Sequence, residues 1–93
     1  MIYLDYSANT PADPAVLDAF YQTERCYIGN PNSTHPAGRA AQAEMARVTD
    51  SIAELLDVLP EEIIYTSGAS ESNNLALKGI VQASRHVGKH IIS

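Results

Sequence analysis

The chain has 93 residues, with 11 acidic and 6 basic side chains, a net charge of −5 and a single cysteine, Cys26. That length allows one small domain at most, and a lone thiol provides neither an internal disulfide nor a cysteine-based metal site to staple it. The acidic balance excludes nonspecific nucleic-acid binding, which needs a basic surface to displace counterions, and no apolar run approaches the ~20 residues of a membrane span.

In chain order, Met1-Ile2-Tyr3-Leu4-Asp5-Tyr6 is short, apolar and interrupted. It has no basic n-region and no long apolar h-region, so it is not a secretion signal, and the expected location is cytoplasmic. The unpartnered thiol fits a reducing compartment. Asn9-Thr10-Pro11 breaks the segment, because the residue before proline avoids helical geometry. Asp13 is placed to cap a helix with Pro14 at its first position, running to about Thr23 with Val16, Leu17 and Phe20 on one face.

Gly29 to Pro36 is a loop by composition. From Arg39 to Leu59 the apolar residues Ala41, Met45, Val48, Ile52, Leu55 and Leu59 recur at spacings of four and three, which predicts a long helix ended by Pro60. Glu62-Ile63-Ile64-Tyr65-Thr66 reads as a strand from its β-branched and aromatic content. Ser67-Gly68-Ala69-Ser70 is a tight turn. A helix from about Glu71 to His86 is expected to bury Leu75, Ala76, Ile80 and Ala83, with Gly88 as its C-cap and a new strand from Lys89 to Ser93. Strand, turn, helix and strand form the unit of an α/β protein with a right-handed crossover. These two strands alone cannot complete a doubly wound sheet.

The stretch Thr66-Ser67-Gly68-Ala69-Ser70-Glu71-Ser72-Asn73 carries the chemical signal. A helix N-terminus presents unpaired N–H groups and partial positive charge. Gly68 and Ala69 leave room for close approach to the backbone, and Ser70 adds a hydroxyl, which together would make a phosphate cradle. A plainer reading has Ser70 capping its own helix while Gly68 supplies the turn. Glu71 opposes an anion there unless its side chain turns elsewhere. The pattern is neither a Walker loop nor a three-glycine dinucleotide fingerprint.

Tyr3-Leu4-Asp5-Tyr6-Ser7-Ala8-Asn9-Thr10-Pro11, Gly29-Asn30-Pro31-Asn32-Ser33-Thr34-His35, Gly38-Arg39 and Thr66 through Gly79, in this order and spacing, resemble the cysteine desulfurases. These are class V aminotransferase relatives within the fold-type-I pyridoxal-phosphate enzymes. The resemblance covers essentially the whole chain. It implies an α/β fold of which this chain is an incomplete N-terminal part: residues 1–15 in the small domain, and 16–93 at the start of the large cofactor-binding domain with its first strand-helix-strand unit. It implies pyridoxal 5'-phosphate as cofactor, with Gly68, Ala69 and Ser70 on its phosphate. The implied reaction removes sulfur from L-cysteine, giving alanine and a protein persulfide for acceptors such as an iron–sulfur scaffold. A homodimer is implied, and neither nucleic acid nor membrane is a partner. Threonine is commoner in the family where this chain has Ser70 and Asn9, and serine is common where it has Asn32.

The resemblance places no catalytic residue and no metal ligand in this chain. The family's cofactor-anchoring lysine, ring-stacking histidine and persulfide cysteine all lie farther along, so Lys78 reads as a solvated helix lysine. Cys26 reads as a semi-buried structural thiol, His90 as structural, and His86 as preceding a helix C-cap, where a cation is mildly favourable. His35 and Asn30 belong to the matched loop, where His35 either serves function or orders the loop. In the family's sheet the strands flanking the turn and its helix are not neighbours. The chain alone is therefore expected to be inactive, with apolar helix faces left uncovered. The alternatives are part of a sister class V enzyme (a selenocysteine lyase or a small-amino-acid aminotransferase), or a non-enzymatic interaction module.

Overall fold

A computed structural model describes residues 1–88 and 90–92. The chain divides into two units, Met1–Pro60 and Glu61–Ser93. In the first, helix α1 spans Pro14–Cys26 and α2 spans Pro36–Leu56. A 3-10 turn covers Pro60–Glu62, and in the second unit α3 spans Ala69–Ala83.

Helix α1 begins as its sequence dictates. The Asp13 carboxylate accepts from the Ala15 N–H at 2.8 Å, and Pro14 takes the first helical position, where its missing N–H costs nothing. The helix runs three residues beyond Thr23 to Cys26, where the Tyr27 N–H closes on the Thr23 carbonyl at 2.9 Å.

Helix α2 starts at Pro36, earlier than the apolar stripe alone predicts. His35 is its N-cap, with Nδ1 accepting from the Gly38 N–H at 3.1 Å. The helix stops at Leu56 because Asp57 turns left-handed, at φ 54° and ψ 46°. The Val58 N–H then bonds the Ala53 carbonyl at 3.0 Å and the Asp57 N–H bonds Glu54 at 3.3 Å, the paired bonds of a Schellman ending. Leu59 consequently lies beyond the helix. Helix α3 likewise ends at Ala83, short of His86. Ser84 caps it through the Ile80 carbonyl at 2.8 Å, and the Gly88 N–H reaches only the Ser84 carbonyl of the following turn.

The strand-helix-strand unit is not formed. No strand occurs among the described residues, and 63–66 and 90–92 have no regular structure. A strand exists only by pairing its N–H and C=O groups with a neighbour, and these segments have no such neighbour. The remainder of the second expected strand, Lys89 and Ser93, lies outside the described residues.

Among the described residues, the buried ones are Gly38, Ala41 and Ala53 of α2. Helices α1 and α3 bury nothing. The residues expected inside α3 are exposed, Leu75 at 49% and Ile80 at 64%, and so is the α2 stripe at Met45 and Leu55. The uncovered apolar faces expected from the sequence are therefore present.

Candidate functional site

The loop before α2 is held by dense local bonding. The Ser33 N–H donates to the Asn30 carbonyl and the Asn32 N–H to the Asn30 side chain, both at 2.9 Å. The Arg39 guanidinium donates back to the Thr34 carbonyl at 2.6 Å. Two glycines permit this closeness. A Cβ on Gly38 would lie 2.7 Å from the Asn30 carbonyl and 2.8 Å from the Ser33 Cβ, and one on Gly29 would lie 2.7 Å from the Gly38 nitrogen. His35 thus orders the loop and starts the helix. Because its Nδ1 is an acceptor, the ring proton of the neutral imidazole sits on Nε2.

The turn before α3 is the chemically open feature. Gly68 is the N-cap in extended geometry, φ 163° and ψ −178°, and no side chain caps the helix. The first helical bond runs from the Ser72 N–H to the Gly68 carbonyl at 3.1 Å. The N–H groups of Ala69, Ser70 and Glu71 consequently have no acceptor among the described residues. Ser70 does not cap its own helix, so its hydroxyl is available beside those amides. A Cβ on Gly68 would meet nothing within 4 Å, so the approach to the turn is clear.

Glu71 does not take those amides. Its carboxylate accepts from the Ser67 N–H at 2.9 Å and from the Ser67 hydroxyl. The Ser67 hydroxyl, and then its N–H, hold this carboxyl below the ordinary glutamate value. The Thr66 hydroxyl donates to the Gly68 carbonyl at 3.2 Å, which leaves the Ser72 hydroxyl to donate to Thr66. The Ser70 carbonyl accepts from the Asn74 amide at 2.8 Å. Neutral donors without a competing acceptor suit the phosphate of pyridoxal 5'-phosphate. The Glu71 N–H and the Ser67–Glu71 bonds are the parts of this arrangement that sequence reasoning missed. Their signal was a serine four residues before a glutamate at a helix start.

Other candidates stay apart from such chemistry. Cys26 is exposed, not semi-buried. Lys78 is exposed on α3, and His86 lies in the turn beyond the helix. His90 borders an apolar groove with Leu77, Ile80, Val81 and Ile91. The ion pair Glu44–Arg47 lies within α2, where Arg47 first, and Tyr27 more weakly, hold the Glu44 carboxyl low. Among the described residues no group of side chains could hold a metal ion, and no helix is long and apolar enough to cross a membrane.

The start of α3 thus presents unpaired backbone amides and the Ser70 hydroxyl, with no capping side chain. The family model for class-V aminotransferases matches residues 2–93, and the chain belongs to that family. It is similar to a human cysteine desulfurase, at 46% identity over 99% of this chain and 20% of that protein. It is also similar to a mitochondrial cysteine desulfurase of Candida maltosa, at 43% over 99% and 19%. The cysteine desulfurase IscS of Shewanella loihica is 44% identical over 99% and 24%. The chain spans about a fifth of the length of the curated relatives it matches. No solved structure matches it.

Proposed function

We propose that this chain supplies the cofactor-phosphate turn of a pyridoxal-phosphate-dependent cysteine desulfurase. The observation that carries the proposal is identity of 43–46% with enzymes of that name along nearly the whole chain. The open amides and the free Ser70 hydroxyl support the site assignment. Gly68 gives clearance, the Ala69 and Ser70 N–H groups and the Ser70 hydroxyl bind the phosphate, and the α3 dipole favours its charge. The cofactor, when bound, supplies an electron sink for bond cleavage. This chain's residues fix where its phosphate sits.

The substrate in this reading is L-cysteine, the carbon product is alanine, and the sulfur passes to protein acceptors such as an iron–sulfur scaffold. The assembled enzyme is a homodimer of fold-type-I architecture, with residues 1–15 in the small domain and 16–93 in the large one. Segments 62–66 and 90–92 become strands once partner strands flank them. A cytoplasmic setting suits the single unpaired thiol.

The test is a chimera in which this chain replaces the matching fifth of the human relative. Alanine release from L-cysteine is followed. Release from L-cysteine is expected, and it should fall at least tenfold in Ser70→Ala if that hydroxyl holds the phosphate. A chimera that retains no cofactor, or in which Ser70→Ala leaves alanine release unchanged, would contradict the phosphate-turn assignment.

A further inference from the structure

We infer that Glu71 is a positioning residue for the phosphate turn, an assignment that rests on the cofactor reading above. A glutamate in the first turn of a helix ordinarily competes for its amides, and near a phosphate its charge repels the ligand. Here the carboxylate is engaged by both donors of Ser67, the backbone N–H at 2.9 Å and the hydroxyl. Those bonds fix Ser67 against the third residue of α3 and thereby set the path of Gly68 between them. The Thr66 hydroxyl holds the Gly68 carbonyl at 3.2 Å, from the residue just upstream. The result is a turn whose own acceptors are occupied and whose Ala69 and Ser70 amides are not.

Two effects of Glu71 on phosphate binding oppose each other, and their sizes separate them. Repulsion between exposed charges is screened by water and salt to at most a few-fold in affinity. The Ser67 bonds are exposed as well, but they order the phosphate's own donors, and that local ordering outweighs a repulsion screened by water. Removing the side chain should therefore weaken phosphate binding even though a negative charge is lost.

The experiment measures the affinity of the full-length chimera for pyridoxal 5'-phosphate, and for pyridoxal as the phosphate-free control, by equilibrium dialysis. Glu71→Ala is expected to weaken pyridoxal 5'-phosphate about tenfold. Glu71→Gln keeps an acceptor for the Ser67 N–H and should stay within about threefold, and Ser67→Ala should fall between them. Pyridoxal affinity should be the same in every variant. The positioning role is overturned if Glu71→Ala and Glu71→Gln both bind the phosphate form as tightly as the parent, or tighter, while Ser70→Ala is weakened. That pattern leaves the cradle standing and makes Glu71 a repelling charge only. If Ser70→Ala is not weakened, or the parent chimera fails to retain the cofactor, the cradle itself is wrong and the inference falls with it.

Discussion

Asp57 sits in the left-handed region that glycine adopts without strain, and it does so to end α2 through the Val58 and Asp57 backbone bonds. A side chain there costs about 1 kcal/mol relative to glycine. Asp57→Gly should therefore raise the helix content of the chain, read as a stronger helical circular-dichroism signal, and an unchanged signal would refute the strain. Gly38 is the opposite case. A methyl group at that position would collide with the Asn30 carbonyl and the Ser33 side chain. Gly38→Ala should displace the loop from α2 and expose 29–35 to limited proteolysis. An unchanged cleavage pattern would refute the close approach. Parts of this loop were legible and parts were not. Composition marked it as a loop, but Pro36 was read into that loop, although it is the first residue of α2, where proline is favoured. Capping by the His35 ring was not legible, since histidine is an uncommon N-cap and only geometry shows its Nδ1 on the Gly38 N–H.

At the scale of elements, the Ser67–Glu71 bonds make the start of α3 sensitive to pH. The carboxyl is held below the ordinary glutamate value by the Ser67 hydroxyl first and the Ser67 N–H second. Because the folded value is depressed, the bonds contribute fully at pH above the ordinary value and are lost as pH falls through the folded one. Ser67 is exposed, so solvent screens the effect and keeps it modest. The Ser67 amide chemical shift should titrate with that midpoint in the parent and lie flat in Glu71→Gln. A flat parent profile would contradict the bonding. Helix existence was legible throughout, because a 3.6-residue period needs no partner to be read. Helix ends shifted by a few residues wherever a cap, Asp57 or His35, outranked the stripe. The absence of strands at 63–66 and 90–92 has a different reason. Their residues favour a pleated surface, but propensity acts only where a second strand supplies hydrogen bonds.

The whole molecule is defined by what it leaves uncovered. Ala41 and Ala53 are the buried hydrophobic residues, whereas Ile28 and Leu55 are each 85% exposed and Phe20 67%. Alanines contribute little burial energy beside the ~1.5–3 kcal/mol of a fully buried leucine or phenylalanine. By itself the chain should show non-cooperative melting or concentration-dependent association, measured by calorimetry and sedimentation. A sharp, concentration-independent two-state transition would be the contrary result. The site was legible in the sequence as a turn and a resemblance. Its openness was not, because whether Ser70 caps its helix and where Glu71 points depend on coordinates.

The central claim, that these residues act as one part of a cysteine desulfurase, is tested most directly in trans. The chain is mixed with the portion of the human relative that it does not match, pyridoxal 5'-phosphate is added, and alanine formation from L-cysteine is measured. The account predicts alanine from the mixture and none from either part alone. A mixture that stays inert while the chain alone melts cooperatively as a monomer would contradict it.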